Sequence, residues 1–69
     1  MKISARNMLK GFIKEVKEGV VNDEIIIELT DGAEITSIIT KSSAKRLELE
    51  KGKKVYAVIK ASNVMIATD

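Results

Sequence analysis

The 69-residue chain has no cysteine and no histidine, and its only aromatic residues are Phe12 and Tyr56. Without cysteine there is no disulfide to staple so small a chain. Without histidine or cysteine, neither a Ser-His-Asp or Cys-His nucleophile system nor a zinc site with imidazole or thiolate ligands can be assembled. The expectation is therefore a protein that is not an enzyme and offers no direct metal ligands. Two aromatics provide few stacking platforms for single-stranded nucleic acid. No apolar run approaches the roughly 20 residues of a membrane span, and the N-terminus has no apolar signal region, so no membrane association is expected and the cytoplasm is the default compartment.

A chain of this length forms one domain, residues 1–69, and buries only about 60% of the surface exposed when unfolded. With disulfides excluded and a metal disfavoured, association between copies is the remaining source of added stability. Hydrophobic residues at 45% and charged residues at 32% describe a folded, soluble chain and not a disordered one. The net charge of +2 gives a mild preference for anions. Its distribution says more: Asp23, Glu24, Glu28, Asp31 and Glu34 occupy the middle, flanked by Lys2, Arg6, Lys10 and Lys14 and by Lys41, Lys45 and Arg46.

Gly19, Asn22-Asp23, Asp31-Gly32 and Gly52 punctuate the chain as turn signals. Around Asp31-Gly32, "DEIIIELT" places Ile25, Ile27 and Leu29 on one face, and "AEITSIIT" does the same with Ile35 and Ile39, predicting a β-hairpin over residues 24–40. "KKVYAVIKA" turns Val55, Ala57 and Ile59 one way, and "VMIAT" after Ser62-Asn63 predicts a last short strand. Ile26, Ile38, Tyr56 and Val58 fall on the opposite faces, where a monomeric antiparallel sheet prefers polar groups, so a second copy is expected to cover them.

"SSAKRLEL" predicts a short helix over residues 42–48, capped by Thr40, Ser42 or Ser43. "NMLKGFIKEVKEG" supports two readings. Leu9, Phe12, Ile13 and Val16 form a helical stripe with Asn7 as a possible N-cap. A strand bulged near Lys14-Glu15 also places Leu9, Gly11, Ile13 and Val16 on one face, and Gly11 disfavours a helix by about 1 kcal/mol relative to Ala. The strand reading gives five strands and one helix, an all-β, OB-like barrel.

Asp23 and Glu24 read as a solvated pair in a turn. The remaining polar residues suit anion binding better. Ser4, Arg6, Asn7, Thr40, Ser42, Ser43, Lys60 and Ser62 are donors at strand ends or at a helix start. A fully deprotonated tetrahedral oxyanion only accepts hydrogen bonds, so it wants such a shell with no carboxylate in it. With each charge-assisted bond contributing roughly 1.5–3 kcal/mol, about half a dozen support micromolar binding or better. The alternative is an OB-type nucleic-acid or protein interaction module.

The segments "SARN" and "LKG", "ITKSSAKRLEL", "KGKKVYAVIKAS" and "NVMIAT", in that order, resemble the molbindins, the small Mop proteins that bind molybdenum. The resemblance spans essentially the whole chain and favours the strand over residues 9–18. It implies molybdate or tungstate as bound cargo, stored or buffered between subunits of a hexamer built as a trimer of dimers. One subunit would supply Ser4, Arg6 and Lys60-Ala61-Ser62, a neighbour Thr40 and Ser43, with Lys41 and Ser42 near a secondary anion site and Asn7 supporting the loop. A free-standing unit of this kind implies cytoplasmic storage and molybdenum homeostasis, with no nucleic-acid partner.

Overall fold

The computed structural model describes residues 2–69. Four antiparallel strands form one curled sheet in the order β3-β2-β1-β4. They are β1 (Asn7–Glu18), β2 (Asn22–Leu29), β3 (Glu34–Thr40) and β4 (Lys54–Ile59), with a six-residue helix α1 (Lys41–Arg46) between β3 and β4 and a single 3-10 turn at Ala61–Asn63.

The long first strand organises the sheet. Its later part, Gly11–Glu18, pairs with β2, and its earlier part, Asn7–Phe12, pairs with β4 on the other side. The β1–β2 register shifts between Ile13 and Glu15, so the bulge falls where the sequence placed it. At that point the Ile13 N–H donates to the Lys53 carbonyl (2.9 Å), and the Ile13 carbonyl accepts from the Gly52 N–H (2.8 Å). Gly52 makes this approach at φ +90°, a left-handed conformation glycine adopts without penalty.

The helical stripe in β1 loses to cross-strand pairing. A Cβ on Gly11 would lie 2.5 Å from the Glu28 carbonyl oxygen, so the two backbones approach as only glycine permits. Ile13 faces inward, whereas Phe12, which a helix would have buried beside it, is exposed on the outer face. The core is Ile13, Ile25, Ile27 and Ala57, with Val16, Leu29, Ile35, Ile39, Leu49 and Val55 packed against it. Burying each large aliphatic side chain contributes about 1.5–3 kcal/mol.

The hairpin forms as predicted. Its turn is closed by Gly32 N–H to the Leu29 carbonyl (3.0 Å) and Leu29 N–H to the Ala33 carbonyl (2.8 Å). The Asp31 carboxylate accepts from the Ala33 N–H (2.9 Å), the local bond for which Asp is favoured in turns.

Several expectations need correction. Four strands are present, not five: Val64–Thr68 has a strand's composition but no sheet partner among the described residues, and Val64, Met65 and Ile66 are exposed. A strand needs a neighbour's carbonyls and amides, which a favourable pattern does not supply. No pairing joins β3 to β4, so the sheet remains open. The helix runs Lys41–Arg46 and not 42–48. Glu48 turns to φ +55°, and the Lys53 ammonium caps the freed carbonyls of Leu47 (2.6 Å) and Glu48 (3.2 Å). Asp23 lies not in an exposed turn but in β2, buried on the inner face. Ile26, on the outer face between its register partners Glu15 and Thr36, is also buried, and the Lys14–Glu34 ion pair links β1 to β3. Ile38, Tyr56 and Val58 remain exposed on that face.

Candidate functional site

Ser4 and Arg6 sit in the irregular segment leading into β1. Lys60 stands where β4 ends, and Ala61-Ser62-Asn63 turns back at once in the 3-10 turn, with the Asn63 N–H donating to the Lys60 carbonyl (2.8 Å). The two segments are neighbours because Asn7 pairs with Ile59, and the Asn7 side-chain amide donates to the Ile59 carbonyl (3.2 Å). Asn7 thus spends a donor on joining the loops. Together Ser4, Arg6, Lys60, Ser62 and Asn63 line an open groove with the apolar Ile3 and Val58.

No carboxylate lines that groove. Among the described residues neither Arg6 nor Lys60 forms an ion pair, although Lys14, Lys17 and Lys41 all do. Two cations, two hydroxyls and a carboxamide therefore line a groove rich in donors and free of carboxylates, as an oxyanion requires.

Thr40, Lys41, Ser42 and Ser43 occupy a different place, at the junction of β3 and α1. Thr40 is the N-cap, and its Oγ1 accepts from the Ser43 N–H (3.1 Å) and donates to Ser43 Oγ (2.9 Å). The Ser43 hydroxyl proton is thereby free to point elsewhere. Ser42 Oγ lies 3.4 Å from Thr40 Oγ1, too long for a strong hydroxyl bond.

Lys41 is less available than the sequence suggested. Its ammonium lies 3.1 Å from Glu18 Oε1 and 3.3 Å from Asp23 Oδ1, and its N–H donates to the Val21 carbonyl (2.8 Å). The hydrogen bond to Glu18, followed by the contact with Asp23, raises the Lys41 pKa above its usual value despite partial desolvation.

One chain does not bring the two groups of residues together. The Ser4–Arg6 and Lys60–Ser62 groove lies where β1 begins, while Thr40 pairs with Asn22 at the far end of β1, where Glu18 pairs with Asp23. Twelve residues of strand separate them, roughly 35 Å or somewhat less at the usual rise, comparable with the longest dimension of the chain, 35 Å.

Sequence reasoning missed Asp23 as a structural partner of this region. The signal was present: inward positions Ile25, Ile27 and Leu29, continued one step back, reach Asp23.

Residues 3–66 match the TOBE domain family. The chain is 46% identical over 66 residues to molybdenum-pterin-binding protein 1 of Clostridium pasteurianum, covering 96% of this chain and 97% of that protein. The structure superposes on MopII from Clostridium pasteurianum with a TM-score of 0.92 at 43% identity, covering 97% of this chain and 100% of that one. It also superposes on the cytoplasmic molybdate-binding protein ModG with molybdate bound, with a TM-score of 0.90 at 46% identity, covering 94% of this chain and 46% of that one.

Proposed function

The chain belongs to the TOBE domain family, among its small Mop-type proteins, and on that premise we propose that it binds molybdate, or the similar tungstate, as cargo that it stores without transforming. The observation that carries this reading is the groove of Ser4, Arg6, Lys60 and Ser62, which holds donors and two unpaired cations but no carboxylate. The names of its relatives, which include a molybdate-bound ModG, supply the identity of the oxyanion.

The binding sites lie between subunits of a homo-oligomer. One subunit gives Ser4, Arg6 and the Lys60-Ala61-Ser62 segment; a neighbour gives Thr40 and Ser43, with Ser42 and the region of Lys41 beside a secondary site. The separation of these groups along β1 supports this division, because a single chain cannot enclose an anion with both. The exposed Ile38, Tyr56, Val58, Met65 and Ile66 supply apolar surface for association, and a hexamer arranged as a trimer of dimers accommodates it. The setting is cytoplasmic; no helix among the described residues is long and apolar enough to cross a membrane.

A shell without carboxylates disfavours phosphate relative to molybdate, because the proton that phosphate retains near neutral pH finds no charged acceptor there. Sulfate differs in size, so cavity dimensions distinguish it. Titration calorimetry with molybdate, tungstate, sulfate and phosphate, combined with native mass measurement, tests the reading. Heat with molybdate and an oligomeric mass support it; no heat, or a monomer, overturns it.

A further inference from the structure

Asp23 is the one buried charged side chain among the described residues, 3% exposed, and the groove function above does not use it. Its Oδ1 accepts the Gly19 N–H (3.3 Å) and faces the Lys41 ammonium (3.3 Å), which also reaches Glu18 Oε1 (3.1 Å). Glu18 and Asp23 are direct register partners across β1 and β2, and Asp23 pairs with Ile39 on its other side, next to Thr40. The two carboxylates thus form a clamp on the sheet, and Lys41, the first residue of α1, sits in it. A second link, Lys41 N–H to the Val21 carbonyl (2.8 Å), fixes the same residue through its backbone. Three strands and the β1–β2 turn therefore converge on the residue between Thr40 and Ser42.

The geometry points to Asp23 as a positioning residue of the oxyanion site: by holding Lys41 it fixes the start of α1, so that the hydrogen-bonded Thr40–Ser43 pair and Ser42 are held in one arrangement. Lys41 acts through that attachment and is not itself an anion ligand. Its charge is spent neutralising a buried carboxylate that would otherwise repel an approaching anion. Glu18 makes the closer contact but from an exposed side chain, whereas Asp23 is confined by burial, and among the described residues Lys41 is the one cation within 4 Å of it. The inference rests on the proposed role of Thr40 and Ser43 in molybdate binding.

The test is a double-mutant cycle on the assembled full-length protein, titrated with sodium molybdate, using D23N, K41M and the D23N/K41M pair, with K41R as the conservative replacement. Asp23→Asn preserves shape and removes the charge while keeping one oxygen able to accept the Gly19 N–H. D23N and K41M are each expected to weaken binding about fivefold or more, and the double variant no further than the worse single one, because both break the same link. K41R should stay within about twofold of the parent. A loss from K41M that is as large in the D23N background as in the parent would make Lys41 a direct ligand and overturn the proposal. Amide hydrogen exchange in anion-free protein gives an independent readout: Ser43 and Ala44 should exchange faster in D23N, and unchanged exchange there would also overturn it. K41M leaves a buried carboxylate unpaired; if that variant does not fold, D23N with the exchange measurement decides the matter. Should the parent protein take up no molybdate, the functional reading falls, while the exchange comparison still shows whether Asp23 holds the helix start.

Discussion

Arg6 and Thr40 lie at opposite ends of β1: Arg6 directly precedes Asn7, which pairs with Ile59, whereas Thr40 pairs with Asn22 beside the Glu18 end of the strand. A site that uses both must draw them from different chains. Mixing R6A chains with chains carrying T40A and S43A, after dissociation and reassembly, should therefore restore a fraction of intact molybdate sites that neither variant shows alone. Recovery no greater than the sum of the two parents would mean that the residues do not share a site.

Removing one cation from the groove should reduce affinity without disturbing assembly. Arg6→Ala and Lys60→Ala are each expected to weaken molybdate binding about tenfold or more, since a charge-assisted hydrogen bond contributes roughly 1.5–3 kcal/mol. In the proposed assembly, association is carried by the exposed apolar side chains and not by these cations, so the native mass should stay unchanged. Calorimetry alongside native mass spectrometry reads both, and unaltered affinity would remove these residues from the site.

Gly11 should resist replacement. Its absent side chain leaves room for the Glu28 carbonyl, 2.5 Å from where a Cβ would stand, and a backbone oxygen cannot rotate aside. Gly11→Ala should cost about 1–3 kcal/mol in denaturant unfolding, comparable with overpacking a core. Ile25→Ala, at a position 1% exposed, should cost about 2–5 kcal/mol through the cavity it leaves. A helical β1 segment would reverse the first result, because alanine would then stabilise.

Stability should be flat across neutral pH. There is no histidine to titrate between about pH 5 and 8. Lys41, through Glu18 and then Asp23, and Lys14, through Glu34, both have pKa values raised from 10.5. The unfolded chain loses these protons first, so the stabilisation is complete below 10.5 and is lost as pH rises through the higher folded values. The urea midpoint should hold from about pH 6 to 9 and fall only above about 10.5. A decline beginning near pH 8 would contradict the assignment.

Met65 and Ile66, 93% and 90% exposed, should be covered in the assembly. Charged replacements, M65D with I66D, are expected to lower the native mass while leaving the sheet's circular dichroism in place. An unchanged mass would remove this segment from the interface.

Local sequence was enough for the hairpin and the donor character of the groove; it left β1 between a helical stripe and a bulged strand, which the family resemblance decided, and it offered Thr40, Ser42 or Ser43 as the cap of α1. Each depends on near neighbours: inward alternation at Ile25, Ile27 and Leu29, a carboxylate two residues from the amide it accepts, and a threonine three residues before a serine N–H. Composition alone excluded disulfides and imidazole chemistry. Tertiary structure decided what depends on distant partners. Val64–Thr68 has the pattern of a strand yet finds no neighbouring strand among the described residues. Asp23 reads as a solvated acid until β1, β2 and α1 close around it and Lys41 supplies the opposite charge. Arg6 and Thr40, equally plausible as anion donors in the sequence, are placed far apart by the length of β1. Pattern records which way a side chain faces, whereas pairing depends on which segment arrives opposite it, and that is settled only when the chain folds.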